Sequence, residues 1–178
     1  MCGGRGTRLD TAVEKPLYEV NGRTMVDRVC DALAESRVET IHPVVSPHTP
    51  RTRDHLDDRD GRVIDAPGEG YVADLGHALE RVDVPVLTVA ADLPLLAGDA
   101  IDAVLSRDVE GSLAMCVPAA LKRVMGVSIG TTDEAGRAPT GVNVVADGGT
   151  ETTVTTYDVR FAVNVNRLAD ARVAEELL

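Results

Sequence analysis

Residues 3–17 read GGRGTRLDTAVEKPL, a glycine-rich run followed by a lysine in front of a proline. Glycines let backbone N–H groups converge on an anion, and an arginine matches a phosphate in shape and charge. The run is neither a Walker A motif nor a dinucleotide fingerprint, because no Gly-Lys-Ser/Thr follows and the third glycine of GxGxxG is lacking. A glycine-rich surface turn is the alternative to a phosphate cradle. The candidate cradle residues are Gly3, Gly4, Arg5, Gly6, Thr7 and Arg8.

Apolar runs alternate with amphipathic patterns through the rest of the chain. Residues 24–36 place apolar side chains on one helical face after Thr24, a typical N-cap. The nearly continuous apolar run at 84–92 is typical of a strand covered on both faces. This alternation predicts one three-layer α/β domain over residues 1–178, with a mostly parallel mixed sheet. Further helices are predicted at 49–59, 70–82, about 98–106 and 167–178, and further strands at 40–46, 62–66, 112–117 and in GVNVVA and FAVNVN.

The chain carries a formal charge of −11 at pH 7, which disfavours nucleic acids and anionic lipids as partners. Lys15 and Lys122 are its only lysines. A composition that is acidic, lysine-poor and aromatic-poor predicts a protein of a salt-accumulating, haloarchaeal organism. An acidic protein encoded by a GC-rich genome is the alternative.

The cysteines and histidines show no metal-binding pattern. Three widely spaced cysteines without CxxC argue against a disulfide framework or a zinc site and indicate a reducing compartment. Because there is no apolar signal region and no uninterrupted apolar span, we expect a cytoplasmic protein without a membrane helix. The histidines are interpreted as structural or solvated; they are His42, His48, His55 and His77.

Two motifs, GGRGTRL and EKPL, together resemble the signature of the nucleotidyltransferases that activate sugars, molybdopterin and corrinoids. Other segments extend the resemblance over nearly the whole chain: VSPHTPRTRDHL, VIDAPGEGYVADLGHAL, VAADL, TGVNVV and FAVNVNRLADARVAEELL. In this order they resemble the archaeal GTP:adenosylcobinamide-phosphate guanylyltransferases, a family within the MobA-like superfamily. The resemblance implies a Rossmann-like fold of the nucleotide-diphospho-sugar transferase type.

The resemblance also implies roles for particular residues. Arg8 and Lys15 would be catalytic clamps on the triphosphate. Asp92 ends the strongest apolar strand and matches the superfamily's metal-binding aspartate, so Mg²⁺ is the expected cofactor; a turn or cap role is the alternative. Asn164 and Asn166 are two residues apart and share one face of the predicted strand, although Asn166 could instead cap the last helix. Further nucleotide-binding candidates are Ser46, Asp65 and Gly70. Further acceptor-side candidates are Gly141 and Asn143. The glycine at position 141 indicates either close backbone approach or a plain turn.

The family reaction transfers GMP from GTP to adenosylcobinamide phosphate and releases pyrophosphate. The attacking phosphate oxygen is already ionised at neutral pH, so we expect positioning and charge neutralisation to carry most of the catalysis. The expected partners are GTP and a corrinoid phosphate, and a homodimer is a further expectation. The alternatives are a molybdopterin or sugar-phosphate nucleotidyltransferase and a non-catalytic nucleotide-binding module.

The first strand of the superfamily fold is missing from this sequence. In that superfamily an apolar strand precedes the glycine loop and forms the middle of the sheet, whereas here only Met1 and Cys2 precede Gly3. Loss of a central strand would expose ladder groups and apolar faces on both of its neighbours. We therefore expect the natural protein to continue upstream, and the glycine loop to be poorly anchored without that extension.

Overall fold

Short strands and helices alternate along the chain, as the apolar patterns predict. The computed structural model describes residues 1–4, 6–57, 63–108 and 110–178. The strands are β1 Glu19–Val20, β2 Arg23–Thr24, β3 Val44–Val45, β4 Ile64–Asp65, β5 Val86–Val89, β6 Ser112–Pro118, β7 Arg137–Val145 and β8 Glu151–Thr155. The helices are α1 Met25–Ala34, α2 Pro50–Asp57, α3 Tyr71–Leu79, α4 Gly98–Leu105, α5 Ala119–Val124 and α6 Leu168–Leu177. Within these described ranges, no helix has the length and apolar character needed to cross a membrane.

The largest sheet has the strand order β5-β7-β6-β8. In it β7 runs antiparallel to both of its neighbours, whereas β6 and β8 are parallel. β3 and β4 form a separate parallel pair, in which Val44 lies opposite Ile64. The predicted α/β architecture with a mixed sheet is confirmed, but the largest sheet is not mostly parallel, because β7 pairs antiparallel with both of its neighbours.

Met1 and Cys2 lie between β3 and β5 and connect the two sheets. The Met1 amino group donates to Val89 O at 2.8 Å, and Ala91 N donates to Met1 O at 3.2 Å. On the other side, Cys2 N donates to Val44 O at 2.7 Å. The expectation of a poorly anchored glycine loop is therefore wrong, because the residue before the loop is buried and hydrogen-bonded.

Helix α1 shows how the sequence determines the packing. Thr24 Oγ1 accepts a hydrogen bond from Asp27 N at 3.2 Å, so the predicted N-cap is confirmed. Val29 and Ala32 lie one helical turn apart and are buried in the main core, which packs α1 and α4 against β5, β6 and β7. Each fully buried aliphatic side chain there contributes roughly 1.5–3 kcal/mol. This core holds β5 in place, and β5 leads directly to Asp92.

Some elements differ from the prediction. The strand predicted at 40–46 is only Val44–Val45, because Pro43 lacks the N–H needed to continue the ladder. The strand predicted in FAVNVN is absent: Val159–Phe161 form a 3-10 turn, and residues 163–166 belong to no helix or strand. Helix α5 and the β1–β2 hairpin were not predicted.

Candidate functional site

The glycine loop passes close to other segments of the chain at both of its ends. A β-carbon on Gly3 would lie 3.0 Å from the β-carbon of Ser46, and one on Gly6 would lie 2.8 Å from the β-carbon of Lys15. Gly6 also has a φ of +62°, a conformation that side chains disfavour. Close approach therefore explains the glycines at both ends. Arg5 lies outside the described residues.

Lys15 joins the glycine loop to the end of β5. It begins the 3-10 turn Lys15–Leu17, in which Pro16 is buried. The Lys15 Nζ donates to Asp92 Oδ2 at 2.6 Å and to Asn166 Oδ1 at 2.8 Å. The Lys15 and Asp92 side chains are 19% and 17% exposed, so the pair is held by packing and is still accessible to a ligand.

Asp92 lies just beyond β5, where the sequence placed it. Its Oδ1 accepts from Asn164 Nδ2 at 3.0 Å, and its backbone oxygen accepts from Val165 N at 2.9 Å. The Asn164 amide also donates to Thr140 O at 2.8 Å. The segment 163–166 thus brings both predicted asparagines to the Lys15–Asp92 pair without forming a strand.

Asn166 does not cap α6, so the cap alternative is wrong. The N-cap residue is Arg167. Asp170 Oδ2 accepts from the backbone N–H groups of Asn166 and Arg167 at 2.9 and 2.8 Å. Because Asp170 satisfies these helix-start groups, the Asn166 side chain is available to hold Lys15.

A second lysine, Lys122, supports the network from the protein interior. Its side chain is 3% exposed, and its Nζ donates to Ala162 O at 2.7 Å and to Asn164 Oδ1 at 2.8 Å. These contacts orient the Asn164 amide so that its N–H group faces Asp92. Burial lowers the pKa of Lys122, while the negative charges of Asp92 and Asp170 act in the opposite direction.

The Gly3 end of the loop meets the segment that follows β3. Ser46 Oγ donates to Gly3 O at 2.7 Å and accepts from His48 N at 3.2 Å. The His48 Nε2 lies 3.0 Å from Gly68 O. Gly68 N in turn donates to Asp74 Oδ1 at 2.8 Å. Ser46, a predicted nucleotide-binding residue, therefore positions the loop through a hydrogen bond.

Between these two ends lies a cavity of about 640 Å³, a volume typical of small-molecule sites. The glycine loop, Lys15 and Pro16, the turn 90–92 and the segment around 68–74 line it. The cavity thus lies beyond the carboxyl end of β5, where open α/β sheets bind ligands. Of the predicted site residues, it brings together Gly3, Gly4, Lys15, Gly70 and Asp92.

Other predicted residues lie outside this lining. Thr7 and Arg8 are exposed in the turn after Gly6. Asp65 is exposed and is bound by Arg53, whose Nε and NH2 lie 2.7 and 3.2 Å from its two oxygens. The nucleotide roles of Thr7, Arg8 and Asp65 stay predictions, as do those of the predicted residues that line the cavity.

The two residues of the TGVNVV segment are placed differently from each other. Gly141 lies within β7 rather than in a turn, with a φ of +83° and a β-carbon position 2.7 Å from the β-carbon of Ala90. Its glycine is thus explained by close approach to the strand that leads to Asp92. The Asn143 amide is directed at Thr88 Oγ1, 3.4 Å away, and Asn143 is outside the described cavity lining. The acceptor-side role stays a prediction for both residues.

The residues at Asp92 fit a magnesium ion that is bound jointly by protein and substrate. Mg²⁺ commonly takes one or two carboxylates and completes its shell with phosphate oxygens and water. Asp92 is a partly open carboxylate on the cavity wall. Among the described residues no group of three or more His, Cys, Asp or Glu side chains could hold a metal ion. The donor set therefore fits Mg²⁺ that arrives with a nucleotide and does not fit a metal held by protein alone.

Sequence reasoning missed two charged residues of the site, Lys122 and Asp74. Lys122 is one of only two lysines among the 18 basic residues of the chain, and this rarity is the signal that could have identified it. Asp74 is 5% exposed but occupies a helix position at which the sequence pattern does not reveal burial.

Comparison with known proteins gives the family. Residues 1–173 match the MobA-like NTP transferase domain. The chain is 33% identical to the adenosylcobinamide-phosphate guanylyltransferase of Methanocaldococcus jannaschii, in an alignment of 194 positions that covers 100% of this chain and 95% of that protein. It is also 31% identical to the bifunctional protein GlmU of Latilactobacillus sakei, but over only 54% of this chain and 21% of that protein.

Solved structures agree at the level of the fold. A nucleotidyl transferase from Methanothermobacter superposes with a TM-score of 0.71 at 16% identity, covering 99% of this chain and 94% of that one. A putative glucose-1-phosphate thymidylyltransferase from Bacillus anthracis gives 0.68 at 10% identity, covering 99% of this chain and 92% of that one. Both likenesses support the nucleotide-diphospho-sugar transferase type of fold. Because residues 1–173 match this domain and the M. jannaschii guanylyltransferase aligns over the whole chain, the chain belongs to the MobA-like NTP transferase family and is a nucleotidyltransferase.

Proposed function

We propose that this nucleotidyltransferase transfers GMP from GTP to the phosphate of adenosylcobinamide phosphate. A phosphate oxygen of the acceptor attacks the α-phosphorus of GTP. The bond between the α-phosphorus and the bridging oxygen breaks, and pyrophosphate leaves with the bond's electron pair. The products are adenosylcobinamide-GDP and pyrophosphate. The observation that carries the choice of acceptor is the end-to-end match to the M. jannaschii guanylyltransferase, whereas the GlmU match covers about half of the chain.

Lys15 is the principal cation for the phosphates in this scheme. An ammonium group has three N–H donors, and the Lys15 donors at Asp92 and Asn166 account for two of them. One donor remains for a phosphate oxygen. Lys15 lines the cavity together with Gly3 and Gly4, so this oxygen would be held near the backbone of the glycine loop. Neutralising the triphosphate there lowers the cost of bringing a second anion to it.

Asp92 is the residue that would hold Mg²⁺. When bound, the ion neutralises charge on the phosphates and on the leaving pyrophosphate. The role of the chain itself is to keep the carboxylate in one orientation: Asn164 donates to Oδ1 and Lys15 to Oδ2. Both donors come from segments distant in sequence, so the carboxylate is oriented by the fold and not by its own loop.

The reaction requires no strong general base. The acceptor phosphate is ionised near neutral pH, since the second pKa of a phosphate monoester is about 6. The groups around Asp92 are correspondingly amides and ammonium groups, which orient and neutralise anions. Catalysis would then come from positioning and from charge stabilisation.

The decisive experiment measures pyrophosphate release in molar KCl with Mg²⁺, GTP and adenosylcobinamide phosphate. Parallel reactions replace GTP by ATP or CTP, and the corrinoid by a sugar 1-phosphate or molybdopterin. The expected result is release that requires both GTP and the corrinoid. Release with another acceptor and not with the corrinoid would assign the chain to that alternative chemistry. Nucleotide binding without release on any acceptor would support a binding module.

Two variants test the site assignment within this assay. Lys15→Ala is expected to weaken GTP binding, because the cation at the phosphate end is lost. Asp92→Asn is expected to reduce turnover by about 100-fold or more while sparing GTP binding. Arg123→Met is the matched control, since Arg123 is exposed on α5 away from the cavity lining. Wild-type turnover in both site variants would refute the assignment. The homodimer, the cytoplasmic location and the haloarchaeal origin stay predictions.

A further inference from the structure

A buried carboxylate lines the same cavity as Lys15, next to Gly3. Asp74 is in the first turn of α3, is 5% exposed, and contributes to the cavity lining. Its Oδ1 accepts from Gly68 N at 2.8 Å. Its Oδ2 has no hydrogen-bond donor in the part of the chain that the structure describes, and it lies 3.3 Å from the position that a β-carbon on Gly3 would take. A carboxylate oxygen that is accessible from the cavity and has no protein donor can accept a hydrogen bond, so Oδ2 marks a place where a ligand donor would bind.

The position of Asp74 along the glycine loop indicates which part of a nucleotide it would meet. Gly3 is next to Asp74, and Gly6 is next to Lys15. Gly3, Lys15 and Asp74 all line one cavity, and the Lys15 ammonium group lies at Asp92. A nucleotide whose phosphates lie at this ammonium group would therefore place its base towards Asp74. Lys15 is the only lysine or arginine among the described lining residues.

The chemistry of a carboxylate selects among the bases. Guanine presents two adjacent donors, N1–H and the N2 amino group, on its Watson–Crick edge. Adenine and cytosine each present a ring nitrogen acceptor beside their amino group, and this acceptor would face the carboxylate's negative charge. An ionised carboxylate has acceptor capacity only. We propose that Asp74 reads the Watson–Crick edge of guanine and is the residue that makes the enzyme prefer GTP.

This inference rests on the proposed function for its choice of nucleotide and assigns the base specificity to one side chain. A site built to bind a donor rejects ligands that lack the donor, because its own buried group is then left unpaired. The competing explanation is structural: Asp74 would only hold Gly68 through Oδ1 and favour the start of α3. A structural role predicts equal loss for every nucleotide, whereas base recognition predicts an exchange of preference.

The test uses Asp74→Asn, which keeps the shape of the side chain and replaces one oxygen by an amide donor. Xanthine has N1–H as guanine does, but it carries an oxygen in place of the N2 amino group. The asparagine side chain of the variant would accept from the N1–H of xanthine through its carbonyl oxygen. It would donate from its NH₂ group to the xanthine oxygen that replaces the N2 amino group. Binding of GTP, XTP and ATP is measured by calorimetry with Mg²⁺ and without any acceptor. Asp54→Asn, at an exposed position on α2, is the matched control.

The wild-type protein is expected to bind GTP about 100-fold more tightly than XTP or ATP. In Asp74→Asn, the ratio of GTP affinity to XTP affinity is expected to fall by about 100-fold or more. Equal weakening of all three nucleotides in the variant would overturn the inference, as would equal binding of GTP and ATP by the wild type. If the variant does not fold, the contact can still be tested by measuring how tightly the wild-type protein binds ITP. ITP lacks the N2 amino group and is expected to bind between GTP and ATP, and binding as tight as GTP would refute the two-donor contact.

Failure of this inference and failure of the proposed function give different results. The binding assay contains no acceptor, so absent transfer to the corrinoid leaves the base preference and its dependence on Asp74 intact. Transfer to the corrinoid by an enzyme with no base preference would refute the role of Asp74 alone.

Discussion

Replacing Lys122 by methionine tests whether the buried lysine orients the Asp92 network. Methionine has nearly the same length and apolar stem but no charge and no donor. In Lys122→Met, Ala162 O and Asn164 Oδ1 lose the donors that now lie at 2.7 and 2.8 Å. The Asn164 amide is then free to turn, so Asp92 Oδ1 loses a fixed donor at 3.0 Å.

The expected magnitude follows from these contacts. Leaving a buried acceptor unpaired costs about 1–3 kcal/mol, and the change leaves two such acceptors. Removing a buried ammonium recovers part of this cost, because the charge no longer has to be desolvated. We expect the free energy of unfolding to fall by about 2–4 kcal/mol. Loss of a partner that orients a metal ligand commonly costs about 10–100-fold in metal affinity or activity, so the Mg²⁺ concentration for half-maximal turnover should rise by at least about 10-fold.

The assay combines denaturant unfolding with Mg²⁺ titrations of pyrophosphate release. Lys122 does not line the cavity, so the KM for GTP should change much less than the Mg²⁺ dependence. The control is Arg123→Met, which removes a positive charge from the next residue of α5 at an exposed position. A stability loss with unchanged Mg²⁺ dependence would show that Lys122 only supports the fold, and unchanged stability would refute the energetic reasoning.

The pH dependence provides an independent check on the same residue. Burial lowers the pKa of Lys122 in the folded protein, whereas the unfolded chain has the ordinary lysine value of about 10.4. Between these two values the unfolded state binds more protons, so stability rises with pH in that window and the protonated form carries a penalty below it. The difference in unfolding free energy between wild type and Lys122→Met should therefore increase as pH is raised towards 10.4. A constant difference would contradict a lowered pKa.

Two other predictions concern the loop and an ion pair. Gly6→Ala should lower the unfolding midpoint and weaken GTP binding, because the new β-carbon would lie 2.8 Å from that of Lys15 at a φ of +62°. Gly4→Ala is the control for stability, since a β-carbon there meets open space. Equal unfolding midpoints for the two variants would refute the steric reasoning. The Arg160 guanidinium lowers the pKa of Asp158 in the folded protein. The pair therefore stabilises the fold fully at pH values above the ordinary Asp pKa. This stabilisation is lost as the pH falls through the lowered pKa. Arg160→Gln should therefore flatten the fall in unfolding free energy below about pH 4, and an unchanged slope in acid denaturation would count against the pairing.

Local signals predicted those parts of the fold that are governed by neighbours in sequence. Thr24 followed by an amphipathic run predicts α1 and its cap, and both are observed. The β1–β2 hairpin also has a local signal in the sequence, because Asn-Gly is the typical two-residue hairpin turn. In the structure Asn21 and Gly22 both have the positive φ that such a turn requires. The FAVNVN segment wrongly predicts a strand, because its apolar and polar residues alternate as in a strand. Its backbone N–H groups are instead bound by Asp92 and Asp170.

The candidate site was predictable only where strand ends reveal it. Asp92 could be placed because a continuous apolar run ends at it. Lys122 could not be placed, because its partners Ala162 and Asn164 are 40 and 42 residues away in sequence. Asp74 could not be identified as buried, because a polar residue in the first turn of a helix is usually an exposed, dipole-favoured acid.

The proposed function requires a strongly acidic chain to bind a triphosphate, and the charges of the candidate site are consistent with this. A net charge of −11 repels an approaching anion at low salt. At about 1 M salt the Debye length is only about 3 Å, so charges elsewhere on the surface have little effect at the cavity. Contacts such as Lys15 Nζ to Asp92 Oδ2, at 2.6 Å and mostly buried, are shorter than this screening length and keep their strength. Affinity for GTP should therefore depend on Lys15 and the backbone of the glycine loop, and not on the net charge.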